Sequence, residues 1–133
     1  MFDIKAVRMT SFGQIMNEIF SVKDKADYID ELISYPLLII DDLGSERSSE
    51  YAQEIVYSII DGRYKAGKPL IITTNLTLDE IQNPQDMRYA RIYDRILEMC
   101  VPIQFNGKSR RKDIFLEKRD RVKALFDEVS ENE

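Results

Sequence analysis

The run Leu37-Leu38-Ile39-Ile40-Asp41-Asp42 limits the fold more than any other segment of the chain. Four apolar residues without alternation suit a strand covered on both faces, as in a parallel sheet packed between helices. Two carboxylates at its carboxyl end then fall on the edge where open α/β sheets bind their ligands. One such acid can hold a magnesium ion through water and the next can orient an attacking water, the two tasks that phosphoryl transfer sets. Taken alone, the same acids equally mark a strand that reaches solvent.

The flanking patterns agree with an α/β layer. Ala6 to Met9 reads as a short strand, and Thr10 or Ser11 offers an N-cap to a helix with Phe12, Ile15, Met16, Ile19 and Phe20 on one face. A second helix from about Lys23 turns Ala26, Ile29, Leu32 and Ile33 inward. The next, about Ser49 to Lys65, aligns Ala52, Ile55, Val56, Ile59 and Ile60, and Gly67 and Pro69 end it. Leu70 to Thr74 forms another buried strand that stops at Asn75, followed by a short helical turn near residues 78–81. Beyond Pro84, a helix carries Tyr89, Ile92, Tyr93, Ile96, Leu97 and Cys100; Val101 to Phe105 reads as a strand, and a last helix from Ile114 carries Val122, Leu125, Phe126 and Val129. The expectation is a single partial domain over 1–133, with its core at about 6–128 and a frayed end at 129–133.

Composition removes several chemistries. With no histidine and one cysteine among 133 residues, neither a histidine base nor an ordinary zinc site nor an internal disulfide is available. The longest apolar run, Pro36 to Ile40, is too short to cross a bilayer and no signal-peptide pattern is present, so a soluble cytoplasmic protein is expected. A formal net charge of -5 argues against a protein that works mainly by coating nucleic acid.

Three further segments carry chemistry. Leu70-Ile71-Ile72-Thr73-Thr74-Asn75 repeats the strand-to-polar geometry one crossover later, and an amide there can hydrogen-bond both a phosphate oxygen and a water, or simply end the strand in a turn. In Arg91-Ile92-Tyr93-Asp94-Arg95-Ile96, Arg91 and Arg95 lie four apart on one helical face, suited to a phosphate from a neighbouring subunit or to ion pairs with Asp94 or Glu98. Residues 107–113, GKSRRKD, gather Lys108, Arg110, Arg111 and Lys112 around Ser109, enough to grip phosphate or to begin a solvated helix. By contrast GRYKAGK, residues 62–68, only imitates a phosphate loop. Pro69 stands where Ser or Thr is needed, and the segment leaves a helix for a strand instead of the reverse.

In order, LLIIDDLG, LIITTNL, RIYDRILEMC and NGKSRRKD resemble the carboxyl two thirds of an AAA+ ATPase domain of the DnaC/IstB type, the bacterial and phage helicase loaders, over about residues 6–120. The upstream VRMTSFGQIMNEIF resembles the segment after that family's nucleotide-loop helix. The resemblance implies a P-loop NTPase-like three-layer fold with sheet order 5-1-4-3-2, ATP and Mg2+ as cofactors, and a replicative DNA helicase as partner. IstB-like transposition helpers share the motifs. It implies Walker B roles for Asp41, holding magnesium, and Asp42, orienting water; the short Asp42 stands where many relatives carry Glu, which predicts slower hydrolysis. Asn75 matches sensor 1, Arg95 the arginine finger that acts on the adjacent subunit's ATP, and Arg111 sensor 2, with Arg110 the competing choice. Residues 21–35 match a helical insertion that contacts single-stranded DNA, although Lys23 and Lys25 there face Asp24, Asp27, Asp30 and Glu31.

The family's first strand and its GxxxxGK[ST] loop have no counterpart in these 133 residues. Losing several charge-assisted phosphate contacts at about 1.5–3 kcal/mol each costs many decades of affinity, so the expectation is no tight ATP binding by this chain alone. Strands AVRM, LLIID and LIITT should still form a parallel sheet. VPIQF should close the gap or pair elsewhere, and the open edge of LIITT invites self-association, giving a non-catalytic interaction module as the alternative to a loader ATPase.

Overall fold

The computed structural model describes residues 6–44, 49–106 and 110–131. Two compact units divide between Pro102 and Ile103. The first contains β1 (Val7–Ser11), α1 (Phe12–Ser21), α2 (Lys25–Ser34), β2 (Leu37–Leu43), α3 (Glu50–Lys65), β3 (Leu70–Thr74), α4 (Leu78–Gln82), a 3-10 turn at Met87–Tyr89 and α5 (Ala90–Met99). The second contains α6 (Arg110–Glu131).

The three strands form a parallel sheet in the order β1-β2-β3, as the motif order implies. Each crossover brings a helix back across the sheet, so β2 is central and its carboxyl end opens between two neighbours. Ser11, Asp24, Ser49 and Thr77 cap α1 to α4 through side-chain oxygens that accept from backbone N–H groups, each worth about 1 kcal/mol. The GRYKAGK segment is a helix end: Gly67 takes φ 67°, and the N–H groups of Gly67 and Lys68 donate to the carbonyls of Tyr64 and Arg63.

The core unites Phe12, Ile15 and Ile19 of α1 with Leu38 and Ile40 of β2, five apolar residues of α3, and Ile92, Tyr93 and Ile96 of α5. The five on α3 are those its spacing predicts. Period-2 geometry divides β2: Leu38 and Ile40 are fully buried, whereas Leu37 and Ile39 on the opposite face are half-buried, so the expected burial on both faces holds for only one.

Four other expectations need correction. Residues 101–106 are irregular and no strand forms at 101–105, because a strand needs a ladder partner and the sheet consists of β1, β2 and β3 alone among the described residues. Phe20 is exposed; it follows Ile19 by a step of about 100° that takes it off the buried stripe, and it meets the Tyr51 ring at 6.1 Å instead. On α2, Tyr28 enters the core and Ala26 does not, since the Tyr28 hydroxyl donates to Glu18 Oε2 at 2.6 Å and so remains satisfied when buried. Helix α6 begins at Arg110, four residues before Ile114, and extends through residues expected to fray.

Candidate functional site

The carboxyl edge of the sheet is built by an irregularity. Ile40 pairs with Ile72 and Leu43 with Thr74, so Asp41 and Asp42 together face Thr73 alone. This bulge bends β2 and re-aims both acids. It also places Asp42 at φ 56°, a left-handed backbone that Asp tolerates better than most residues and that recurs at functional sites.

The threonines of LIITTN hold this bend. Thr73 Oγ1 donates to Asp41 Oδ1 and accepts from the Asp42 N–H at 3.0 Å. Thr74 Oγ1 donates to the Leu43 carbonyl at 2.6 Å and accepts from the Leu76 N–H at 3.1 Å. Both hydroxyls therefore pin the strand that carries the acids to the strand that carries Asn75. They were missed as site residues because TT in a strand reads as β propensity; the signal available was their position opposite Asp-Asp.

Asp42 and Asn75 line one depression with Leu43, Gly44 and Leu76, about 110 Å³ in volume. The structure thus brings Asp42 and Asn75 together, with Asp41 beside Asp42 on the same bend and turned to Thr73. Among the described residues no cluster of three His, Cys, Asp or Glu side chains forms a protein-only metal site. One or two carboxylates completed by phosphate oxygens and water is how magnesium is usually held, so Asp41 and Asp42 fit that ion as part of a larger site.

Arg95 lies elsewhere. Strand β2 runs into this edge, α3 runs back from it, and the end of α3 meets the starts of the strands: Arg63 reaches the carbonyls of Pro36 and Pro69. Arg95 docks near that end, with Nη2 3.1 Å from Asp61 Oδ1 and Nη1 2.9 Å from Glu98 Oε2. Its guanidinium carbon sits 4.4 Å from the centroid of the Tyr64 ring. The expected Glu98 pair is present, together with an unforeseen one to Asp61. Arg91 pairs with Glu54 at 2.6 Å and covers Tyr57 at 4.0 Å. Arg95 is therefore set apart from Asp41 and Asp42 along α3: Asp61, on which it docks, lies about 16 Å of helical rise beyond Glu50 at the start of that helix. Arg110 and Arg111 open α6 in the second unit, and residues 107–109 of the GKSRRKD motif lie outside the described residues.

Sequence reasoning also passed over Arg63, hidden inside GRYKAGK. It is fully buried, and Nη1 donates to the carbonyls of Leu32, Ile33 and Tyr35 at 3.0, 3.1 and 2.7 Å while Nη2 reaches Pro69 at 2.6 Å. The Leu32 and Ile33 carbonyls lie in the last turn of α2, where a helix leaves carbonyls without intrahelical donors, and those of Tyr35 and Pro69 precede β2 and β3. Burial pulls the Arg63 pKa below its ordinary value, yet a guanidinium stays charged. One other charged cluster fastens this half: Glu18 accepts from Arg8 at 3.1 and 3.2 Å, Gln14 at 2.8 Å and Tyr28 at 2.6 Å, joining β1, α1 and α2. No helix among the described residues is long and apolar enough to cross a membrane.

Comparison with known proteins bears on the fold and the family. The replicative helicase loader DnaI of Bacillus subtilis is 26% identical over 86 residues, which are 57% of this chain and 28% of DnaI. YqaM of the same organism is 31% identical over 81 residues, 57% of this chain and 26% of YqaM. The chain thus spans about a quarter of the length of these relatives. Among solved structures, DnaI superposes with a TM-score of 0.59 at 22% identity over 71% of this chain and 55% of that one. The DnaC helicase loader does so at 0.50 and 23%, over 73% and 60%. These likenesses show the fold, a partial P-loop NTPase-like sheet. The model of the IstB-like ATP binding protein family matches residues 4–118, and the chain belongs to that family.

Proposed function

We propose that this chain carries the water-activating half of a helicase-loader type of ATPase site. The carrying observation is the bulge that sets Asp41, Asp42 and Asn75 on one sheet edge, held by Thr73 and Thr74. In this reading Asp41 holds magnesium, which supplies charge neutralisation to the phosphates. Asp42 accepts a hydrogen bond from the attacking water, and Asn75 orients that water and a terminal phosphate oxygen. Arg95, remote from these acids in its own chain, serves the nucleotide of an adjacent subunit, and Arg111, with Arg110 as the alternative, serves as the sensor 2 cation. The partner by this reading is a replicative helicase, and single-stranded DNA is disfavoured by the acidic α2.

The amides and lysine that would cradle the β- and γ-phosphates have no motif in these 133 residues, so the half-site alone binds nucleotide weakly. Calorimetric titration of Mg·ATP into the chain checks this: no saturable heat at micromolar nucleotide is expected. Micromolar affinity would show a phosphate site that the motifs do not reveal.

A second reading, self-association, draws on the sheet. β3 is an edge strand in the described sheet, Ile71 on it is 48% exposed, and Met9, on the same face two strands away, is 61% exposed. Light scattering coupled to size exclusion tests it, with a concentration-dependent dimer expected. A monomer at high concentration removes this reading and leaves the first intact.

A further inference from the structure

Helix α3 receives the two arginines of α5 in the same way twice. Glu54 and Tyr57 recur seven residues later as Asp61 and Tyr64, two turns along the same face. Arg91 occupies the first acid–tyrosine cradle and Arg95 the second.

The cradles differ in access. The Arg91 and Glu54 side chains are 55% and 59% exposed, an ordinary surface pair. Arg95 and Asp61 are 23% and 14% exposed, and both have further partners: Glu98 at 2.9 Å and the Tyr57 hydroxyl for Arg95, and Lys65 Nζ at 2.8 Å for Asp61. The hydrogen bond from Lys65, then the charges of Lys65, Arg95 and Arg91, hold the Asp61 carboxyl below its ordinary pKa.

We propose that Asp61 is a positioning residue that keeps Arg95 docked on α3, and that phosphate of a neighbouring subunit's nucleotide engages Arg95 by displacing it from Asp61. The proposal rests on Arg95 being the arginine finger. Asp61 Oδ1 faces Arg95 Nη2 at 3.1 Å as an ion pair without a hydrogen bond, and a carboxylate and a phosphate compete for the same guanidinium charge, so the finger cannot serve both fully. Lys65 makes the exchange feasible. It lies one helical turn from Asp61 and already donates to its other oxygen, so the carboxylate keeps a cationic partner when Arg95 leaves. Arg91 is restrained by Glu54 at 2.6 Å instead, so its response to phosphate should depend on Asp61 much less than that of Arg95.

The test follows the Arg95 Nε–Hε signal in NMR spectra of the full 133-residue chain titrated with inorganic tripolyphosphate, with Arg95→Gln used for assignment. In the wild type the signal should shift, and Asp61→Asn should lower the Arg95 midpoint about tenfold while the Arg91 midpoint moves less than twofold. Lys65→Met, at a side chain 72% exposed, should raise the Arg95 midpoint about threefold, which keeps the test decisive where Asp61→Asn disturbs folding. Equal Arg95 midpoints in all three proteins would overturn the role of Asp61 and leave the finger reading standing. A silent Arg95 in every protein would overturn the finger reading itself, and the proposal with it.

Discussion

The two edges of the sheet handle polar groups in opposite ways. At the amino edge Arg63 is buried and spends both terminal nitrogens on backbone carbonyls of α2, the β2 entrance and the β3 entrance. At the carboxyl edge Asp42 is exposed on a left-handed backbone, and Asp41 is held by a single threonine hydroxyl. One edge uses charge to close the structure, and the other carries its acids on a bent strand end at a cost in backbone strain. The contrast explains why a buried arginine in the middle of a phosphate-loop look-alike is structural, while two acids on a bend are the better functional candidates.

The sharpest way to break this comparison is Arg63→Met, which should destabilise the protein by about 3–5 kcal/mol because several carbonyls lose their donor in a water-poor site. Urea denaturation measures it, and a loss below 1 kcal/mol would deny Arg63 its closing role. Gly62→Ala probes the neighbouring close approach of α3 to α2, where a Cβ would overlap the Ile33 side chain. It should cost about 1–3 kcal/mol, and Ile33→Ala should recover part of that loss in the double mutant.

Next comes Glu18. The hydrogen bond from Tyr28 first, with those from Gln14 and Arg8 and the charge of Arg8, holds its pKa below the ordinary carboxylate value against the opposing effect of burial. A depressed carboxylate contributes stability that is fully present above its unfolded value and is lost as pH falls through the folded one. Stability against thermal unfolding should therefore fall progressively below about pH 4.5, and Glu18→Gln should flatten that decline, at a loss of about 1–2 kcal/mol near neutral pH. The smallest effect is expected at the opposite edge: Asp42→Gly should relieve the φ 56° strain and stabilise the fold by up to about 1 kcal/mol. A destabilised Asp42→Gly protein would erase the contrast between the edges.

Much of the fold was legible in local patterns. Helix α3 and strand β3 follow their apolar periodicities, and Ser49 and Gly67 mark the boundaries of α3 by cap chemistry that needs no tertiary context. The candidate acids and amide were legible too, because strand ends at a parallel-sheet edge are predictable from two short runs. Arg63 and Tyr28 were not, since whether a polar side chain is buried depends on carbonyls or carboxylates brought close from distant segments. Leucine and isoleucine in β2 gave no hint that only one face would be fully covered.

The amino-acid sequence by itself determined the strand and helix order as far as α5, the parallel connections and the chemical types at the sheet edge, because period and capping act over a few residues. Only the tertiary structure decided the bulge that pairs Asp41 and Asp42 against Thr73, the docking of Arg95 on Asp61, and the burial of Arg63. These depend on register and on contacts between residues about 30 apart in the chain, where packing and desolvation of the assembled layer, not local preference, select the geometry.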